Sequence, residues 1–289
     1  MKMTRTIQKT SENQTVGDFL KRSLSLSRRI IIKLKKTGGI EVNGSAVHTN
    51  FVLHEGDVLT VSLPEEQSET LKPESIPINV LYEDEHLLAV NKPKNMAVHP
   101  TLNYKSGTLA NAVSHYFKGE PFVFRPVNRL DKDTSGVVLI AKNQIAASRL
   151  STQLAQKEMQ KTYFAIVFGV PQPSVGKISV PVALEEGSII KRCINPSGAS
   201  AETEYETIRT NGSLSLVRLF PHTGRTHQIR VHMAHIGCPL YADFLYGTEI
   251  PNETFYLHCA SLSFMHPITQ KQMTIHAPLP DCFKERIDK

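Results

Sequence analysis

Residues 64–78, PEEQSETLKPESIPI, interrupt a patterned chain of 289 residues. Four glutamates and three prolines leave no apolar face of either helical or strand period, and proline removes backbone donors. The stretch reads as a linker, so the chain folds as two units. The boundaries drawn from it are 14–66 for a small unit, 67–78 for the linker and 79–289 for a large one. The large unit is long enough to bury a core without covalent staples.

In the small unit Val16, Phe19, Leu20 and Leu24 recur at helical spacing. Ser27 is a candidate N-cap for a second helix over 28–36, which Gly38 and Gly39 end. Short strands then run around the turn signals Asn43-Gly44 and Glu55-Gly56-Asp57. Lys21, Arg22, Arg28, Arg29, Lys33, Lys35 and Lys36 all fall on the two helices, while Ile30, Ile31 and Leu34 turn inward. Such a stripe is either a solvated face or a phosphate-contact surface.

The large unit opens with paired strands around the acidic turn 83–85. TLANAVSHYF and NQIAASRLSTQLAQK have helical periodicity, the second capped by Asn143 with Ile145, Leu150 and Leu154 facing the core. KTYFAIVFG and SLSLVRLF read as strands, the latter after the turn Asn211-Gly212. The fold class is α+β, with a mixed, mainly antiparallel sheet in the large unit and a small α+β unit before it.

A net charge of +6 favours a polyanionic partner. Cys193, Cys238, Cys259 and Cys282 form no C-x-x-C pair and suit no disulfide framework, which points to a reducing compartment. The N-terminus has no apolar signal region, and no apolar run approaches the roughly 20 residues that span a bilayer. A bacterial-type cytoplasm is the expected location.

Two stretches carry candidate chemistry. In RPVNRLDKDTSGVVLIAKN, residues 125–143, Asp131 stands between Arg129 and Lys132, ahead of the apolar run 137–141. Gly136 permits a tight entry to that run, and Thr134 and Ser135 can bond local backbone. A carboxylate here is either part of a solvated turn or a reactive group kept ionised by a cation. In LFPHTGRTHQIRVHMAHIG, residues 219–237, a strand passes into a helix with an apolar stripe of Ile229, Met233 and Ile236, and Gly237 at its end. One of Arg225 and Arg230 could hold a carboxylate while the other meets phosphate. His227, His232 and His235 are poorly spaced for zinc, and no metal is expected. Ser135 lies in no nucleophile elbow, and no glycine-rich loop offers a nucleotide site.

The skeleton FLKRSLSLSRRIIIKLKKTGGIEVNG…GDVLTV resembles an S4 RNA-binding domain. NKPKNMAVHP (91–100), RLDKDTSGVVLIAK (129–142), KTYFAIVFG (161–169), PHTGRTHQIRVHMAHIGCPLYAD (221–243) and LHCASLSFMHP (257–267) together resemble the RluA-type pseudouridine synthases. The resemblance implies an enzyme that isomerises uridines in RNA without a cofactor. It makes Asp131 the nucleophile, Tyr163 the active-site tyrosine and Arg225 the partner of the nucleophile, with Arg230 as the alternative. Expected RNA contacts are Arg129, Arg230, His227, Arg22, Arg28, Arg29, Lys33 and Lys36. The family commonly has His before RLD, where this chain has Asn128. Ribosomal RNA of the large subunit is the favoured substrate over transfer RNA, and a non-catalytic RNA-binding or assembly factor is the rival reading. No membrane or nucleotide cofactor is expected, and the protein is expected to be a monomer.

Overall fold

The computed structural model describes residues 2–63, 71–101 and 104–288. The small unit begins with β1 (Lys2–Thr6). Thr15 caps α1 (Val16–Asp18), which runs into a single π turn, Phe19–Ser23. There follow α2 (Arg28–Thr37), β2 (Ile40–Val42), β3 (Ser45–Ala46) and β4 (Val58–Ser62). The strands form an antiparallel sheet in the order β1-β4-β2-β3.

Local chemistry sets these boundaries. The Ser27 hydroxyl accepts the Ile30 N–H and starts α2, and Gly38 ends it in the left-handed region at φ 64°. Asn43 and Gly44 both take positive φ and close the β2–β3 hairpin. The unit reaches back to residue 2, not 14 as the sequence pattern suggests. In β1 Met3 alone is buried, so that edge strand carries no apolar alternation to read.

The large unit contains β5 (Asn79–Glu83), β6 (Leu87–Lys92), α3 (Leu109–Tyr116), β7 (Ser135–Ala141), α4 (Gln144–Ala155), β8 (Gln160–Phe168), β9 (Val175–Ile178), β10 (Val182–Leu184), β11 (Arg192–Ile194), β12 (Thr203–Thr210), β13 (Leu214–Pro221), α5 (Gln228–His235), β14 (Leu257–Met265), β15 (Gln272–His276) and α6 (Asp281–Asp288). Nine strands form one sheet in the order β5-β6-β7-β14-β8-β13-β12-β9, with β15 also on β14; β10 and β11 pair separately. All pairs are antiparallel except β7 with β14. The class is α+β, as the patterning implies.

The parallel junction depends on Gly136. Its φ is +113°, and a Cβ there would lie 2.2 Å from the Cys259 carbonyl oxygen. Only glycine lets β14 approach closely enough to enter between β7 and β8. β7 is buried along its whole length, in keeping with its unbroken apolar run.

The expected linker is only partly within the described residues: 64–70 lie outside them. From residue 71 the chain belongs to the large unit. Leu71 and Ile78 pack on its core, and the Lys72 carbonyl accepts from Asn111 of α3.

The two units are fastened through α4. The Arg149 Nε donates to the Leu24 carbonyl at 2.7 Å and Nη1 to the Pro267 carbonyl at 2.5 Å. The Ser148 hydroxyl accepts the backbone N–H of Ser27, the α2 cap. Ile145, fully buried, packs in the small unit's core. The residues expected on one core face of α4 therefore divide. Ile145 serves the small unit and Leu150 the large, while Leu154 is 37% exposed at the cleft.

Candidate active site

A cavity of about 860 Å³ opens between the 128–134 loop, the C-terminal end of α4, β8 and the turn from β13 into α5. Asp131, Tyr163, Arg225, His227 and Arg230 all line it.

The loop that carries Asp131 is held from both sides. Asn128 is buried; its amide N–H donates to the Val137 carbonyl, and its carbonyl accepts the Leu139 N–H, each at 2.9 Å. It therefore binds the loop to β7 by one donor and one acceptor, a task an amide performs without titrating. Below the loop lies Lys92, fully buried. Its ammonium donates to the carbonyls of Pro93, Met96 and Lys132 at 2.9, 2.8 and 3.0 Å, joining the 93–96 turn to the backbone beside Asp131. Burial pushes the Lys92 ammonium down to about 7, with the charges of Asp133 and Asp131 opposing that drop. The Ser135 hydroxyl bonds the buried His258 ring at 2.8 Å. The Thr134 hydroxyl is buried without a partner among the described residues and does not bond local backbone as expected.

The Asp131 side chain is 33% exposed. Its Oδ2 lies 3.7 Å from Arg230 Nη1 and 3.9 Å from His227 Nε2. The Arg230 guanidinium is aimed by a second carboxylate: Nε and Nη2 each donate to Asp243, which is fully buried, at 2.7 Å. It also packs on the rings of Phe255 and Tyr246. A bidentate pair with planar stacking fixes orientation, which only arginine provides. These neighbours raise the already high pKa of Arg230 despite its burial.

This geometry corrects three expectations. Arg225 does not pair with Asp131: it is exposed, and its Nε donates to the Ser200 carbonyl at 3.0 Å. Arg230, expected to meet phosphate, is buried and bound to two aspartates. His227, expected among the RNA contacts, turns inward from the left-handed region at φ 56°, between Asp131 and the Tyr246 hydroxyl at 2.8 Å. Burial holds its imidazole below the usual 6.5, with the Asp131 charge opposing. Asp243 and Tyr246 escape sequence reasoning altogether, because only the fold returns that segment to α5. Tyr246 is pushed up to about 12 by burial, so its hydroxyl stays neutral.

Tyr163 is buried on β8, opposite Leu219 of β13 and Cys259 of β14. Burial, then Cys259 and then Asp131, raises its phenol well above the usual 10. It is therefore a neutral donor with an apolar ring on the cavity wall.

Arg129 is exposed at the mouth of the cleft. Arg22, Arg28, Arg29 and Lys36 are exposed on the small unit, Arg22 lying 3.8 Å from Asp18; Lys33 is half-buried. The three histidines weighed for zinc separate: His227 faces Asp131, His232 is buried between Thr203 and the Val180 carbonyl, and His235 is exposed. Elsewhere Glu202, Glu204 and His222 bring ligand atoms within 4.8 Å of one another, but Glu202 already pairs with Lys177 and Glu204 with His222.

Comparison with known proteins gives the family. The family described as RNA pseudouridylate synthase matches residues 86–235, and the RluD ribosomal pseudouridine synthase N-terminal domain matches residues 3–59. YjbO of Bacillus subtilis (strain 168), an uncharacterized RNA pseudouridine synthase, is 41% identical over 264 residues, covering 89% of this chain and 93% of the relative. The ribosomal large subunit pseudouridine synthase C of Buchnera aphidicola is 35% identical over 297 residues, covering 96% and 93%. The solved structure of human RNA pseudouridylate synthase domain containing 1 superposes with a TM-score of 0.60 at 26% identity, over 72% of this chain and 86% of that one. A family match across the cleft-bearing segment and relatives that align along nearly the whole chain lead to one conclusion: the chain belongs to the RluA-type RNA pseudouridine synthases and is an enzyme of that family.

Proposed function

We propose that Asp131 is the nucleophile of this synthase and that its substrate is a uridine in large-subunit ribosomal RNA. The observation that carries the reading is the Asp131–Arg230–Asp243 chain at the cavity wall: one guanidinium, locked by a buried carboxylate, steadies a second carboxylate that faces open space. A carboxylate held beside a fixed cation is kept aimed at the space it faces.

A stacked uridine presents its sugar carbon to no side chain, so the nucleotide must leave the helix and enter the cleft, at a cost of a few kcal/mol. Arg129 at the mouth and the exposed cations of α2 supply phosphate contacts that offset this cost. In the cleft an Asp131 oxygen attacks the ribose C1′ and the glycosidic bond breaks. The Tyr163 ring stacks on the uracil, and its neutral hydroxyl serves proton transfer. The base turns and rejoins through C5. The product is an isomer, so the atoms balance without a co-substrate.

The ribosomal assignment is supported by relatives that carry the name ribosomal large subunit pseudouridine synthase C, among them that of Buchnera aphidicola. The basic small unit, read as an S4-type RNA-binding domain, fits a folded RNA target. Pseudouridine mapping in total RNA from cells with and without the protein tests the substrate: a site lost from large-subunit ribosomal RNA is expected. A loss confined to transfer RNA would replace that assignment. Asp131→Asn tests the nucleophile: turnover disappears while RNA affinity and fold remain.

A further inference from the structure

Lys161 brings into the cleft a charge that the protein does not answer. It lies on β8 two residues before Tyr163, and the period of a strand puts both side chains on one face. Both line the cavity. The Lys161 Nζ sits beside Gly224, where a Cβ would be 3.6 Å away. Among the described residues it has no hydrogen bond or ion pair. Its titratable neighbour Cys259 is a neutral thiol, pushed up to about 11 by burial. Burial also lowers the Lys161 ammonium from its usual value.

The other cations of the cleft differ. Arg230 is held by Asp243 and Asp131. Lys132 lies over the Tyr104 ring and donates to its hydroxyl. Arg129, Lys157 and Arg225 are exposed, where RNA phosphates remain within reach of water. Lys161 is half-buried and shares its face with the tyrosine assigned to the base. A desolvated cation without a counter-charge is costly unless a ligand brings negative charge to it.

We propose that Lys161 is a catalytic residue that contacts a carbonyl oxygen of the flipped uracil and stabilises the anion released when the glycosidic bond breaks. This rests on the Asp131 reading given above. As the Asp131 oxygen bonds to C1′, the C1′–N1 bond breaks and its electron pair enters the ring, where it spreads over N1 and the two carbonyl oxygens. C5 then displaces the Asp131 oxygen from C1′, the C5 proton leaves, and N1 takes up a proton. The anion exists only between the two bond changes, so an ammonium aimed at it favours the transition state over bound substrate.

The test uses the full chain with Lys161→Met, Lys161→Gln and Lys161→Arg, under single turnover. The RNA carries either uridine or 5-fluorouridine at the target position. Fluorine at C5 stabilises the ring anion by itself, which lessens the need for an ammonium. Having no C5 proton to lose, that substrate is read by the disappearance of the starting nucleoside, and uridine is read the same way for comparison. Lys161→Met and Lys161→Gln should slow turnover by about 10²-fold. RNA affinity should not change, the defect should shrink on 5-fluorouridine, and Lys161→Arg should recover part of the rate. Melting temperatures identify a variant that fails to fold, in which case the other neutral variant carries the test. An unchanged rate overturns the proposal. So does weaker RNA binding with normal turnover at saturation, which would make Lys161 a phosphate contact, or an equal defect on both substrates. Wild-type turnover by Asp131→Asn would instead sink the nucleophile reading, and the fluorine dependence of the Lys161 defect separates the two failures.

Discussion

Two aspartates meet one guanidinium, and amide replacement of each should give opposite phenotypes. Asp243 is fully buried and accepts from Arg230 through both oxygens. Asp243→Asn turns one acceptor into an N–H group facing the guanidinium, and breaking a buried pair in this way costs about 3–5 kcal/mol. The melting temperature should fall on the order of 10 °C. Asp131 is one-third exposed and 3.7 Å from the same cation. Its attraction is roughly 4 kcal/mol before solvent screening, and about 1 kcal/mol or less after it. Asp131→Asn should therefore melt close to wild type. Its turnover should fall by at least about 10⁴-fold, as expected when a nucleophile is lost. Release of tritium from C5 of labelled uridine under single turnover reads the chemistry, scanning fluorimetry reads the fold, and filter retention reads RNA binding. The reasoning fails if Asp131→Asn turns over within tenfold of wild type, or if Asp243→Asn melts normally.

Other outcomes follow from the same geometry. Gly136→Ala combines a positive φ with a Cβ 2.2 Å from the Cys259 carbonyl, so it should lose roughly 2–6 kcal/mol of stability; an unchanged melting curve would show that β14 does not pack as described. As pH falls below 6.5 toward the lowered pKa of His227, the unfolded chain binds a proton the folded one resists. Stability should therefore decline through that window, and activity with it as an imidazolium forms 3.9 Å from Asp131. His227→Gln should remove the acid limb of activity, while His86, His99, His232 and His258, also held low by burial, keep part of the decline in stability; an activity limb that persists assigns it to another group. Replacing Arg28, Arg29 and Lys36 of α2 by Gln should flatten the slope of log affinity against log salt by about 2, and an unaltered slope would remove α2 from the RNA footprint.

What the sequence discloses and what it conceals divide along physical lines. Ser27, Gly38, Asn43-Gly44 and Asn143 act within a few residues of themselves, so their caps and turns can be read directly. Asp131 and Tyr163 are recognisable because short motifs surround them. The choice between Arg225 and Arg230 is not local. It depends on Asp243, thirteen residues on from Arg230 and returned to α5 by the segment that follows. Lys92 looks like an ordinary surface charge until its three carbonyl partners are seen. The insertion of β14 between β7 and β8 joins residues 92 to 123 positions apart, and Gly136 alone hints at it.

Ile145 is covalently part of one unit and thermodynamically part of the other. With Arg149 and Ser148 beside it, the boundary of stability does not coincide with the boundary of the chain's two modules. A graft of a relative's N-terminal module onto this catalytic body must therefore match a hydrophobic socket for position 145 and carbonyls for the arginine. A chimera joined at the linker without that match would inherit an unfilled hole and a stranded buried cation, however well each half folds in its parent.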